Sequence, residues 1–292
     1  MKTIYVILIC AIFFAIKIEA QSKLSNITPV SPEGEFSTPI WSPDGEKIVF
    51  TDHHNDALFV VDVIKSNTIQ KVKSAQGIGY LANWSADSNS IIFREKPKEA
   101  LFSELVVKSI NLSTKKEKIV QGVHPDNTNI LRKSKFQKEK ILTVYINLET
   151  LQLEAKYGTH GKPWVITKEG GQYYHPIVAP NQKYVVVHEG PGMYLYAIDG
   201  KEKRKYLGNG LASAWLPDSS GVVTFEDKSN DGHSITASDL FYISAKTAQK
   251  VQLTNSKDSI ETWADVSPNG KKIAFTDEKS GRIFIADLNL QN

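Results

Sequence analysis

One five-residue turn, repeated along 292 residues, limits what this chain can fold into more than any other feature. The copies are Trp41-Ser42-Pro43-Asp44-Gly45, Trp84-Ser85-Ala86-Asp87-Ser88, Val178-Ala179-Pro180-Asn181-Gln182, Trp215-Leu216-Pro217-Asp218-Ser219 and Val266-Ser267-Pro268-Asn269-Gly270. Seven residues after the start of each copy a β-rich run begins, at Ile48, Ile91, Val185, Val222 and Ile273. Proline presets φ near about −65° in a tight turn and Asp or Asn with Gly tolerates the rest, so each copy is a hairpin between two strands. Trp41, Trp84 and Trp215 stand just before the turn, where a large ring packs against the neighbouring unit, and they read as core.

A third strand follows each hairpin after a polar loop, as in Leu58–Asp62, Tyr194–Ile198, Leu240–Ile243 and Ile283–Ala286, and a fourth follows a short turn, as in Gln249–Thr254. Four antiparallel strands per unit make a propeller blade. The starts are 43, 94, 37 and 51 residues apart, and the long interval has room for one more unit. That unit lies near Asn127–Thr167, with strand-like runs at Ile141–Ile146 and Pro163–Ile166 but without the turn motif. The expected fold is all-β, a six-bladed β-propeller of four-stranded antiparallel blades at about 45 residues each. The last blade runs out after three strands, so the early segment Leu24–Val30 is expected to supply its fourth and close the ring.

The first twenty residues have the pattern of a secretory signal peptide: Lys2, an apolar run from Ile4 to Ile16, and Ala20 at the cleavage point. The run is too short to span a membrane. Residues 21–292 are then the propeller, without cysteine, since Cys10 is the only one. A formal charge of +3 without a long run of like charges argues against nucleic acid as a partner.

The repeated turn followed by Ile-Val-Phe resembles the WD40-like (PD40) repeat of TolB-type propellers across essentially the whole expected mature chain. The resemblance implies an exported protein of the cell envelope, periplasmic or secreted, that binds a protein or peptide; a closed ring has no free sheet edge, so a monomer is expected, and without a catalytic motif neither catalysis nor a cofactor is expected. Full-length TolB also has an N-terminal α/β domain, for which there is no room between Ala20 and Pro39, so the resemblance extends to the propeller alone.

Chemistry on such a ring belongs to the loops joining second and third strands, which the repeat brings to one rim. Those windows hold ten acids against five bases, a net of −5 on a cationic chain. The expected binding residues are Asp52, His53, Arg94, Glu95, His188, Glu189, Glu226, Asp227, His233, Asp277 and Glu278. Tyr80, His124, Tyr173, Tyr174, His175 and Trp263 add aromatic surface. Imidazoles among carboxylates can also hold a divalent cation, with His188, His233 and Asp231 as candidate ligands. That is the alternative reading: a metal-dependent enzyme on acidic oligosaccharides, resembling propeller-type oligogalacturonate lyases, although those have seven blades. No Gly-x-Ser-x-Gly, His-Glu-x-x-His or phosphate-binding glycine loop occurs in the sequence.

Overall fold

The computed structural model describes residues 23–65, 68–96, 105–121, 142–158 and 161–290, and the expected signal peptide lies outside them. Strand β1 (Leu24–Pro29) comes first. Blade 1 follows as β2 (Phe36–Trp41), β3 (Lys47–Asp52), β4 (Ala57–Asp62) and β5 (Ile69–Ser74), and blade 2 as β6 (Asn83–Trp84), β7 (Ser90–Glu95), β8 (Val106–Asn111) and β9 (Glu117–Ile119). Blade 3 is described by β10 (Leu142–Ile146), β11 (Leu153–Tyr157) and β12 (Trp164–Val165), at the place the spacing predicts. Blade 4 comprises β13 (Tyr173–Val178), β14 (Tyr184–Glu189), β15 (Gly192–Ala197) and β16 (Lys205–Asn209). Blade 5 comprises β17 (Leu211–Trp215), β18 (Gly221–Ser229), β19 (Ile235–Ser244) and β20 (Lys250–Gln252). Blade 6 comprises β21 (Glu261–Val266), β22 (Lys272–Asp277) and β23 (Arg282–Leu288), with β1 paired to β23 as its outer strand. Every pairing is antiparallel, no helix occurs among the described residues, and the fold is the expected six-bladed propeller.

The motif turns are built alike. In all five, the Oδ1 of the fourth residue accepts a hydrogen bond from the backbone N–H two residues on, at 2.9–3.0 Å. The fifth residue is left-handed in every copy, at Gly45, Ser88, Gln182, Ser219 and Gly270, with φ between 58° and 75°. This is a type I turn closed by a left-handed residue, which matches the twist of the two strands it joins. Where serine takes the fifth place it also links blades: Ser88 Oγ accepts from Asp44 N at 3.1 Å, and Ser219 Oγ accepts from Asn181 N at 3.0 Å. The motif is thus both a hairpin and a spacer between neighbouring turns.

The core lies between blades rather than at one centre. Separate buried clusters fill the junctions of blades 1 and 2, 3 and 4, 4 and 5, 5 and 6, and 6 and 1. The motif tryptophans are buried there, and two of them also bond across a junction. Trp84 Nε1 donates to Ile40 O and Trp215 Nε1 to Ile177 O, both at 2.9 Å. Each indole therefore contributes apolar burial and one directional bond to the blade before it.

Ring closure has several components. β1 pairs with β23 from Leu24↔Leu288 to Pro29↔Phe284, with a bulge in which Asn26 is left-handed. Leu24 and Val30 are buried in the blade 5/6 and 6/1 clusters, Val30 N donates to Ile283 O at 2.8 Å, and Arg282 Nε donates to Ser31 O at 3.0 Å. Pro29 fits this outer strand because its missing N–H would face solvent.

Deleting residues 21–31 should lower the melting temperature sharply by opening blade 6, and a deletion variant as stable as the parent would refute closure by β1. Trp84→Phe should cost about 1–3 kcal/mol in urea unfolding, from the lost Ile40 bond and the cavity left behind.

Candidate functional site

Antiparallel alternation sends the motif turns to one end of the ring and the loops joining second and third strands to the other. The connections between blades share that second end, which is the loop face. At its centre the inner strands carry a recurrent distortion. Three residues before the motif start, Thr38, Leu81, His175 and Trp263 are all left-handed, with φ of 54°, 58°, 50° and 43°. Blade 5 has the small Ala212 at this offset, beside the bulge in its pairing with β18. Non-glycine residues in this conformation cost of order 1–3 kcal/mol each, and such strain concentrates at functional sites.

Trp263 exploits the gap at Ala212. Its ring centroid lies 5.2 Å from Phe225 of blade 5 and 6.1 Å from His175 of blade 4, so the indole spans the inner wall from blade 6 to blade 4. His175 in turn lies 5.6 Å from His188, whose ring stacks on Tyr174 at 5.2 Å. His188 is completely buried, and its Nε2 accepts a hydrogen bond from Ala212 N at 3.0 Å, which requires a neutral imidazole. Burial, aided by neighbouring His175, pushes the His188 pKa down to about 4. Burial also lowers the pKa of His175, against the opposing pull of the Ala212 backbone. His188 Nδ1 and His175 Nε2 are both buried without a hydrogen-bond partner.

The acids of the loop face are largely engaged in holding the loops. Eleven residues after each motif start, on the second strand, stands a carboxylate: Asp52, Glu95, Glu189, Glu226 and Asp277. Asp52 Oδ1 accepts from Asp56 N at 2.6 Å, and buried Asp277 accepts from Ile260 N at 2.9 Å and from Ser280 Oγ at 2.5 Å. Glu95 is paired with Lys108 at 2.5 Å and Lys73 at 3.2 Å. Burial raises its pKa, but these two bonds outweigh burial and hold the group below the ordinary value. Glu189 meets Arg204 at 2.8 Å, and Glu226 is bonded to Lys250. Glu278 accepts from Thr262 Oγ1 at 2.7 Å and lies 3.7 Å from Nδ1 of exposed His53. The net of −5 read from composition therefore overstates the field of this face, because lysines and an arginine outside the loop windows neutralise several of its acids.

Other expected residues are dispersed. Glu226–Ser229 are strand rather than loop, since β18 and β19 continue as a long hairpin whose registered pairs reach Ser229↔Ile235. Asp227 and His233 are exposed on this hairpin. Asp231 Oδ1 accepts from Ser234 N at 2.7 Å and His233 N at 2.8 Å, and these bonds with that from Ser229 hold its pKa well below the carboxylate range. His188 faces Ala212 inside the wall while His233 sits at the hairpin tip, so the structure does not present His188, His233 and Asp231 to one ion. Among the described residues no three His, Asp or Glu side chains are grouped to hold a metal. Glu99 and His124 lie outside the described residues.

The exposed aromatic surface is well braced. Arg94 lies 4.3 Å above the Tyr80 ring, and the Tyr174 hydroxyl donates to Gly190 O at 2.7 Å. Exposed Leu148 and Leu151 belong to the loop between β10 and β11 on the same face. Glu261, absent from the expected site, is buried at 3% exposure where β21 begins, and its carbonyl accepts a hydrogen bond from Ser238 Oγ of β19 at 2.7 Å.

No family model and no curated protein matches the sequence. Solved structures match the fold. A putative TolB from Agrobacterium tumefaciens is 13% identical, with 90% of this chain and 96% of that chain covered and a TM-score of 0.55. An oligogalacturonate lyase in complex with manganese is 15% identical, with 92% and 94% covered and a TM-score of 0.51. A chain of the mitotic checkpoint complex is 8% identical, with 98% and 99% covered and a TM-score of 0.57. At these identities the likeness extends to the propeller fold alone.

The His188 environment makes stability depend on pH. Its lowered pKa means that the unfolded chain takes up a proton near pH 6.5 while the folded one does not. Stability is thus full above about pH 6.5 and falls by about 3 kcal/mol as the pH approaches 4. Glu261, whose pKa burial raises, acts in the opposite direction. The difference between parent and His188→Gln in urea unfolding at pH 7 and pH 4.5 isolates the histidine, and the variant should show the weaker loss of stability toward low pH.

Proposed function

We propose that this protein is an exported, monomeric binding module whose loop face docks a protein or peptide of the cell envelope, in the periplasm or outside the cell. The carrying observation is the condition of that face. Its aromatics, Tyr80 and Tyr174, are exposed yet held by Arg94 and Gly190, and much of its charge is already paired. Ordered aromatic anchors lose little entropy on binding and dominate protein interfaces, whereas paired rim charges add register more than affinity. The signal-peptide pattern of residues 1–20 supports export. No helix among the described residues is long and apolar enough to cross a membrane.

The likeness to a manganese-bound lyase keeps an enzyme on acidic oligosaccharides as the second reading. The residues first expected to hold its metal do not support it, because His188 and Asp231 are occupied by backbone N–H groups.

Photo-crosslinkers placed at Tyr80 or Tyr174, and at Asp218 on the opposite face as a control, separate these readings in intact cells. The binding module should give one discrete adduct from the two loop-face positions and none from the control. Equal labelling from both faces, or cleavage of an acidic oligosaccharide by the purified protein with manganese, would overturn it.

A further inference from the structure

We propose that the seam between blades 4 and 5, on the motif-turn face, binds a small phosphoryl dianion, either free phosphate or a compact phosphomonoester. The seam opens into a cavity of about 250 Å³, close to the lower end of the range for small-ligand pockets. Blade 4 supplies one wall from its strands and from the turn that carries Glu202 and Lys203. Blade 5 supplies the other from its motif turn and the turn after β19, which are joined where Ala245 N donates to Ser220 O at 2.9 Å.

The charge around this cavity is one-sided. Lys203, Lys205 and Lys246 line it, with Glu202 as its one acid, and none of the four makes an ion pair among the described residues. Lys205 is the fixed member. Its Nζ donates to Ala245 O at 3.0 Å and to Lys246 O at 2.8 Å, so two of its three protons tie blade 4 to blade 5 and the third is left for a ligand. Carbonyls orient an ammonium group without cancelling its charge. At the seam of blades 1 and 2, where Lys73 also reaches across, it is met by the carboxylates of Glu117 and Glu95. The blade 4/5 seam thus has a bridging lysine without the acid.

Three ammonium groups against one carboxylate match a dianion, and a phosphomonoester carries nearly two negative charges at neutral pH. Lys203 and Lys246 are exposed on turns and have the reach to close on the anion that Lys205 orients. Leu195 and Ala197 give the cavity an apolar side for a compact ligand body, and Tyr184 and Ser220 add hydroxyl groups. The site lies on the face opposite the docking surface proposed above and does not rest on that reading.

The test is isothermal titration calorimetry of the purified protein with inorganic phosphate and with glucose 6-phosphate, at about pH 7.5 and at an ionic strength held constant with chloride. One saturable site is expected. Lys205→Gln, and separately the double variant Lys203→Gln with Lys246→Gln, should each weaken binding about tenfold or more through lost charge-assisted hydrogen bonds. The double variant changes only exposed side chains, so it decides the matter even if Lys205→Gln loosens the seam. Lys201→Gln, on the same turn but outside the cavity lining, should bind as the parent does. Tighter binding of glucose 6-phosphate would assign a phosphomonoester, and tighter binding of inorganic phosphate the free ion. No saturable binding of either probe, or binding undiminished in the double variant, would overturn the site.

Discussion

A single four-stranded blade cannot bury its own faces, so every blade depends on the ring being closed. The pairing of β1 with β23 meets that constraint by joining residues more than 250 positions apart and placing Leu24 and Val30 in the two clusters that flank blade 6. Because the buried clusters lie at junctions between blades, opening one junction exposes surface on both sides of it. The covered edge also removes a strand that would otherwise be free to pair with another chain.

The repeated turn carries this constraint around the ring. The fourth-position Asx oxygen orders the hairpin in every recognisable copy, while in four copies the fifth residue sits against the turn of the preceding blade. The Ser88 and Ser219 hydroxyls bond the preceding blade, whereas Gly45 and Gly270 lie near Pro268 and Pro217 of theirs. One short motif thus sets both strand register within a blade and spacing between blades. The opposite face is freed from that task and tolerates the long β18–β19 hairpin and the distorted inner strands.

On the loop face, the left-handed residues turn local strain into a shaped wall. Thr38, Leu81, His175 and Trp263 occupy one offset, yet they differ greatly in size. Ala212 at the equivalent place in blade 5 leaves room for the Trp263 indole to reach His175. The blade 4/5 junction buries His188 against Ala212 N, and the blade 5/6 junction buries Glu261. Blades 4 to 6 are therefore where identical backbones diverge in chemistry.

Much of the architecture was legible in sequence because a turn motif is a local signal. Proline, Asx and a left-handed fifth residue determine a hairpin within a few residues, and the spacing of the copies counts the blades. The charged loops were legible as composition but not as a site. Glu95 and Glu226 read as rim acids, while their partners Lys108 and Lys250 come from the third and fourth strands and meet them only after the blade is assembled. His188 read as an exposed ligand because it ends an apolar run, but the neighbouring blade covers it. An offset comparison three residues before each motif would have singled out His175 and Trp263. Their contact across blade 5 still depends on the small side chain of Ala212. Local backbone chemistry thus determined strands, turns, blade number and closure from the sequence by itself. Tertiary structure decided which charges are paired and which histidines are buried, because those properties belong to junctions between residues far apart in the chain.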